Sequence, residues 1–138
     1  MLYKSNRYFR IWIYIVSHSS LLLRSEMLYS DDKDYSPEYS FNIDIEIWDV
    51  QYIGIPTSID NLEIKEIAIE LLPLDIDKDL CKFGRKAFEI SSNNKKYYII
   101  AGGLIIATNH WEKEDRIFNY NLNLKHDKII FSTNPHLD

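Results

Sequence analysis

Between Phe41 and Gln51 the chain alternates with a period of two. Phe41, Ile43, Ile45 and Ile47 point one way, and Asn42, Asp44 and Glu46 the other. That period belongs to a strand with one buried face, because successive Cβ atoms leave opposite sides of the pleat. Trp48 and Val50 then continue the polar face as apolar residues, so this strand is expected to run from an edge into a covered region before Gly54 and Pro56 close it.

The remainder of the chain carries the same signal. Of 138 residues, 26 are β-branched (21 of them Ile) and 19 are aromatic, against four Ala. Such side chains fit a pleated, half-buried surface better than a helix. Tyr8 to Val16 reads as a central strand, apolar on both faces except at Arg10, and Leu21 to Arg24 returns after the turn Ser17-His18-Ser19-Ser20. Tyr29 to Ser40 lacks periodicity and holds Asp31, Asp32, Asp34, Pro37 and Glu38, which predicts an exposed loop. Residues 58–72 fit helical spacing or a bulged strand; β-branched density favours a strand over Leu62 to Ile67. Lys86–Ser91 and Lys96–Ala101 flank an Asn93-Asn94 turn and predict a hairpin. Leu104–Thr108, Arg116–Leu124 and Lys128–Phe131 complete the strand set, with Gly102-Gly103 as a bulge or turn. The expectation is a single mostly β domain over residues 1–138. Its architecture is an antiparallel sandwich or barrel-like roll of about eight short strands, with one short helix as the alternative within 58–72.

Charge and cysteine content narrow the functional classes. A net charge of −5 and a pI near 5.3 argue against a phosphate-binding face, so no nucleic-acid partner is expected. The single cysteine, Cys81, excludes a disulfide scaffold and suits a reducing compartment. The apolar run Ile11–Val16 is too short for a signal peptide, and Tyr97–Ala107 is broken by Gly102-Gly103. Neither approaches the roughly 20 residues of a membrane span. No membrane association and a cytoplasmic location are expected.

Few residue patterns carry chemistry. Asp75, Asp77 and Asp79 resemble the start of a calcium loop, but Leu80 and Lys86 stand where glycine and a bidentate glutamate are needed, so the segment reads as a solvated loop. His18, His110, His126 and His136 show no metal-ligand spacing, His126 and His136 reading as turn and tail residues; no metal and no cofactor are implied. His18 follows Ser17, with Arg24 on the returning strand, a grouping that could hold a small anion; the plainer reading pairs Arg24 with an acid. Asp44 and Glu46 share a strand face, which permits acid–base chemistry and more ordinarily marks the wet face of a sheet. There is no nucleophile elbow and no phosphate-binding glycine loop, and an enzyme is the reading ranked last.

The acids also suggest a surface. Asp44, Glu46, the Asp31–Asp34 run and Glu112, Glu114 and Asp115 could join into one acidic face, with Tyr29, Tyr35, Tyr39, Trp48 and Trp111 among them. Aromatic anchors rimmed by acids suit a basic protein partner. The expected anchors are Trp48, Tyr52 and Trp111, with Asp44, Glu46 and Asp49 giving charge complementarity.

Three segments, FRIWIYIVSHSSLLLRS (Phe9 to Ser25), NIDIEIWDVQYIGIPTS (Asn42 to Ser58) and KKYYIIAG (Lys95 to Gly102), resemble a group of small, uncharacterised bacterial β-rich proteins. That group has no assigned reaction, so the resemblance implies a compact cytosolic domain with an accessory role and carries over no site residues. The leading expectation is a non-enzymatic, acidic protein-interaction module, such as an immunity-type inhibitor of a basic partner. The alternative is a small β-barrel binding a small anionic ligand near His18 and Arg24.

Overall fold

In a computed structural model, residues 2–118 and 121–134 are described. They form two antiparallel sheets. The first orders β1 (Leu2–Ser5), β7 (Leu62–Ile67), β8 (Lys86–Ser92), β9 (Lys95–Ala101) and β5 (Tyr52–Gly54) as β1-β7-β8-β9-β5. The second contains β2 (Phe9–Ile15), β3 (Ser20–Ser25), β4 (Asn42–Trp48), β6 (Ser58–Ile59), β10 (Gly103–Asn109) and β11 (Lys128–Ser132), ordered β11-β10-β4-β3-β2-β6. The sheets do not close into a barrel. Among the described residues no helix is long and apolar enough to cross a membrane.

Period-two patterning fills the space between the sheets. Leu21, Leu23, Ile43, Ile45, Ile47, Leu104 and Ile106 from one sheet meet Leu62, Ile64, Phe88, Ile90 and Ile99 from the other in one buried cluster. The outer face of the five-stranded sheet is covered too. Residues 68–85, which include two short 3-10 turns, lay Leu72, Ile76 and Cys81 over Ala87 and Ile100. Burial raises the pKa of the Cys81 thiol, which keeps it protonated.

The strand expectations at residues 9–25, 42–48, 62–67 and 86–109 hold closely, and 62–67 is a strand rather than a helix. The hairpin turn places Asn93 and Asn94 at φ of 50° and 66°, the left-handed pair that a two-residue turn requires. Two expectations are corrected. Tyr8–Val16 is not the central strand, because β2 lies one position from the edge and β4 holds the middle. Arg116–Leu124 is not a strand where it is described, residues 119 and 120 lying outside the described set as does His136. Both ladder edges of β10, the strand that precedes this segment, are taken by β4 and β11.

At the crossing between sheets, Gly103 sits where a Cβ would come 2.5 Å from the Trp48 ring and also strike the Thr133 hydroxyl. The Gly103→Ala variant is expected to lose about 1–3 kcal/mol in urea unfolding, as overpacked sites do. Wild-type stability would show that Trp48 yields freely.

Candidate functional site

The polar face of β4 is the feature to explain. Asn42, Asp44 and Glu46 point away from the core between the sheets, yet all three are buried, Asp44 completely. Antiparallel pairing sets Asp44 opposite Arg24 of β3 and Ala107 of β10, and Glu46 opposite Leu22 and Ile105. The described parts of the β10–β11 connection, residues 110–118 and 121–127, supply Trp111, Arg116 and His126 to this face. The pair expected as a wet, acidic rim is therefore interior.

Burying carboxylates is tolerable only with charge and hydrogen-bond partners. Arg24 grips Asp44 with two bonds, Nε to Oδ1 at 2.6 Å and Nη2 to Oδ2 at 2.8 Å, both side chains being fully buried. Nη2 also donates to the Glu114 carbonyl at 2.9 Å, tying the covering segment to the sheet. The Trp12 ring lies 4.8 Å from the same guanidinium. Glu46 accepts from Arg116 at 3.2 Å and meets His126 Nε2 at 2.9 Å. Asn109 Nδ2 donates to Asp44 at 2.8 Å and lies 3.4 Å from His126 Nδ1. Two acids meet two guanidiniums, so the network is electrically balanced.

Asn42 completes it. Its Nδ2 donates to Asn109 Oδ1 at 2.7 Å and to the Trp111 carbonyl at 2.6 Å, while its Oδ1 accepts from the Met27 amide at 2.8 Å. One side chain thereby holds the starts of two loops that are distant in sequence.

Asp44, Glu46 and His126 also offer ligand-type atoms within 4.8 Å of one another. A divalent cation there would have to displace Arg24 from both oxygens of Asp44 and compete with Arg116 for Glu46. The chemistry of this donor set is that of a structural ion-pair network. The same engagement leaves neither carboxylate free to shuttle protons to a substrate.

The other expected residues are dispersed. Trp48 is half-buried and lines a cavity of about 250 Å³ with His18, Ser20, Glu46 and Arg116. Asp49, at φ 52°, pairs with Arg85 at 3.0 Å. Tyr52 packs against the second apolar cluster. Trp111 stacks on His126 with ring centroids 4.9 Å apart. His18 and Arg24 stand toward opposite ends of β3 and line different cavities, so the expected His18–Arg24 anion site does not assemble. Asp77 caps the 3-10 turn of Lys78–Cys81 by accepting from the Asp79 amide.

Other acids do converge. Because Asn42 holds Met27 and Trp111 side by side, the segments that follow share one surface. Residues 26–38 carry five carboxylates against one lysine, and 112–115 carry three against one lysine; together they exceed the chain's net charge of −5. Glu26, Asp31, Asp32, Asp34, Glu38, Glu112 and Glu114 are all exposed. Tyr29 stands among them, half exposed. Its phenol is raised above the ordinary tyrosine value by partial desolvation first, then by the charges of Glu112, Glu26, Asp32 and Glu114. Sequence reading had both acidic runs but not the residue that joins them. Asn42 is on the alternating face and Asn109 interrupts an apolar strand; that pairing of amides was the available signal.

No family model, no curated protein and no solved structure matches this chain.

Removing one partner of the central pair leaves a buried charge unmatched, at a cost of about 3–5 kcal/mol. Asp44→Leu and Arg24→Met are each expected to lose that much in urea unfolding, and the double variant markedly less than their sum. Strictly additive losses would show the pair to be uncoupled.

Proposed function

We propose that the protein is a non-enzymatic interaction module whose acidic, tyrosine-bearing surface takes a basic partner protein, in the manner of an immunity-type inhibitor. The observation that carries this reading is the convergence of residues 26–38 and 112–115 around the exposed Tyr29, held by the bonds of Asn42 to Met27 and Trp111. The role first expected of Asp44 and Glu46 passes to Glu26, Asp32, Glu112 and Glu114, and the anchor role of Trp48, Tyr52 and Trp111 passes to Tyr29. Exposed carboxylates of one sign steer a basic partner and speed its capture, while a half-exposed aromatic supplies the area that charge does not. A catalytic reading finds less support, because the buried carboxylates are already committed to arginines.

The test is retention of a basic protein from native lysate by the tagged chain at about 0.1 M and 1 M salt, where the screening length falls from about 10 Å to about 3 Å. Wild type is expected to hold a stoichiometric basic protein at low salt and release it at high salt. Tyr29→Ala should weaken that complex by about 2 kcal/mol, and Asp32→Lys with Glu112→Lys should abolish it, both with unchanged melting. Retention indifferent to these substitutions, or no basic protein at either salt, would overturn the proposal.

A further inference from the structure

A cationic recess borders the buried ionic network and shares Arg24 with it. In the pairing of β2 with β3, Arg10 stands directly opposite Arg24. Like charges in that relation repel and destabilise a sheet. Arg7, in the approach to β2, joins them at a cavity of about 300 Å³, whose remaining wall includes Tyr8, Leu28 and Tyr39. Two carboxylates attend the three guanidiniums: Asp44 holds Arg24, and Glu26 accepts from Arg10 at 2.7 Å. Among the described residues Arg7 has no carboxylate partner. It is buried and bonded to the Ser25 hydroxyl and to the carbonyls of Ser25, Glu26, Glu38 and Phe41. Arg24 Nη1 is buried with no acceptor, while the rest of that guanidinium is fixed by Asp44 and the Glu114 carbonyl.

We infer that this recess binds a small monocarboxylate with a compact aromatic or branched aliphatic body. One positive charge is in excess, which matches one anionic group. A planar carboxylate suits guanidinium forks, and a volume at the low end of ligand cavities admits only a small body against the tyrosines and leucine. An anion beside Arg10 joins the two carboxylates already paired with Arg10 and Arg24 and matches the remaining charge of Arg7. The recess shares Glu26 and Leu28 with the partner-surface segment 26–38, and its other wall residues lie outside that surface.

Benzoate is the probe, and benzamide its neutral counterpart. In two-dimensional NMR titration, benzoate is expected to shift the amides of Tyr8 and Leu28 and the side-chain signals of Arg10, while benzamide leaves them unmoved. Arg10→Gln is the variant of choice because Arg10 is exposed, and folding does not rest on its pairing with Glu26. It should weaken benzoate by about tenfold or more, the weight of one charge-assisted hydrogen bond. No shift with benzoate, equal binding of benzamide, or unchanged affinity in Arg10→Gln would each overturn the inference, and none of them bears on the basic-partner reading.

Discussion

The Arg24–Asp44 pair is the interaction on which the six-stranded sheet and its cover depend. A bidentate ion pair with no solvent contact sits on a sheet face that period-two patterning alone would leave wet. Coulomb attraction in a poorly polarisable interior is large, but so is the desolvation of both ions, and the second cost is met only when the remaining donors and acceptors are also satisfied. Asn109, the Glu114 carbonyl and Trp12 meet most of this need for the pair, and Arg116 and His126 do the same around Glu46, leaving Arg24 Nη1 and Arg116 Nε as the buried donors without an acceptor among the described residues. The covering segment is held by direction-specific bonds rather than by apolar area.

The two outer faces contrast in this respect. Residues 68–85 cover the five-stranded sheet with Leu72, Ile76 and Cys81, a contact that tolerates sliding and leaves Leu74 and Phe83 almost wholly exposed. Residues 110–118 and 121–127 cover the six-stranded sheet through paired charges and amides, which fix position as well as proximity. In the proposed function positional fixing matters, because the acidic surface is built from two loops whose relative placement rests on Asn42. Pairing the buried acids with arginines in place leaves the carboxylates of residues 26–38 and 112–115 at the exterior.

Much of the fold could be read from periodicity. The strands at 42–48 and 86–101 follow from alternation and from an Asn-Asn turn, and 62–67 from its β-branched density, all local properties. What escaped was non-local. Whether the polar face of β4 is wet depends on a segment some 65 residues later that crosses over it, and alternation within one strand carries no trace of that cover. Arg116–Leu124 shows the same limit, since alternation within a segment does not say whether it pairs with a sheet. Arg24, within an otherwise apolar LLLR strand, was the informative residue: an arginine there demands an acid, and the plainer reading of it as half of an ion pair is what the structure contains. The short β1, β5 and β6 left no pattern long enough to recognise.

The central claim is that one buried amide couples the two acidic loops. Hydrogen exchange on the Asn42→Ala variant tests it most directly, because exchange reports local opening without requiring the chain to unfold. Amides around 26–28 and 111–117 should lose protection together, while β7, β8 and β9 keep theirs. Protection unchanged in both segments, or lost in only one, would contradict the coupling.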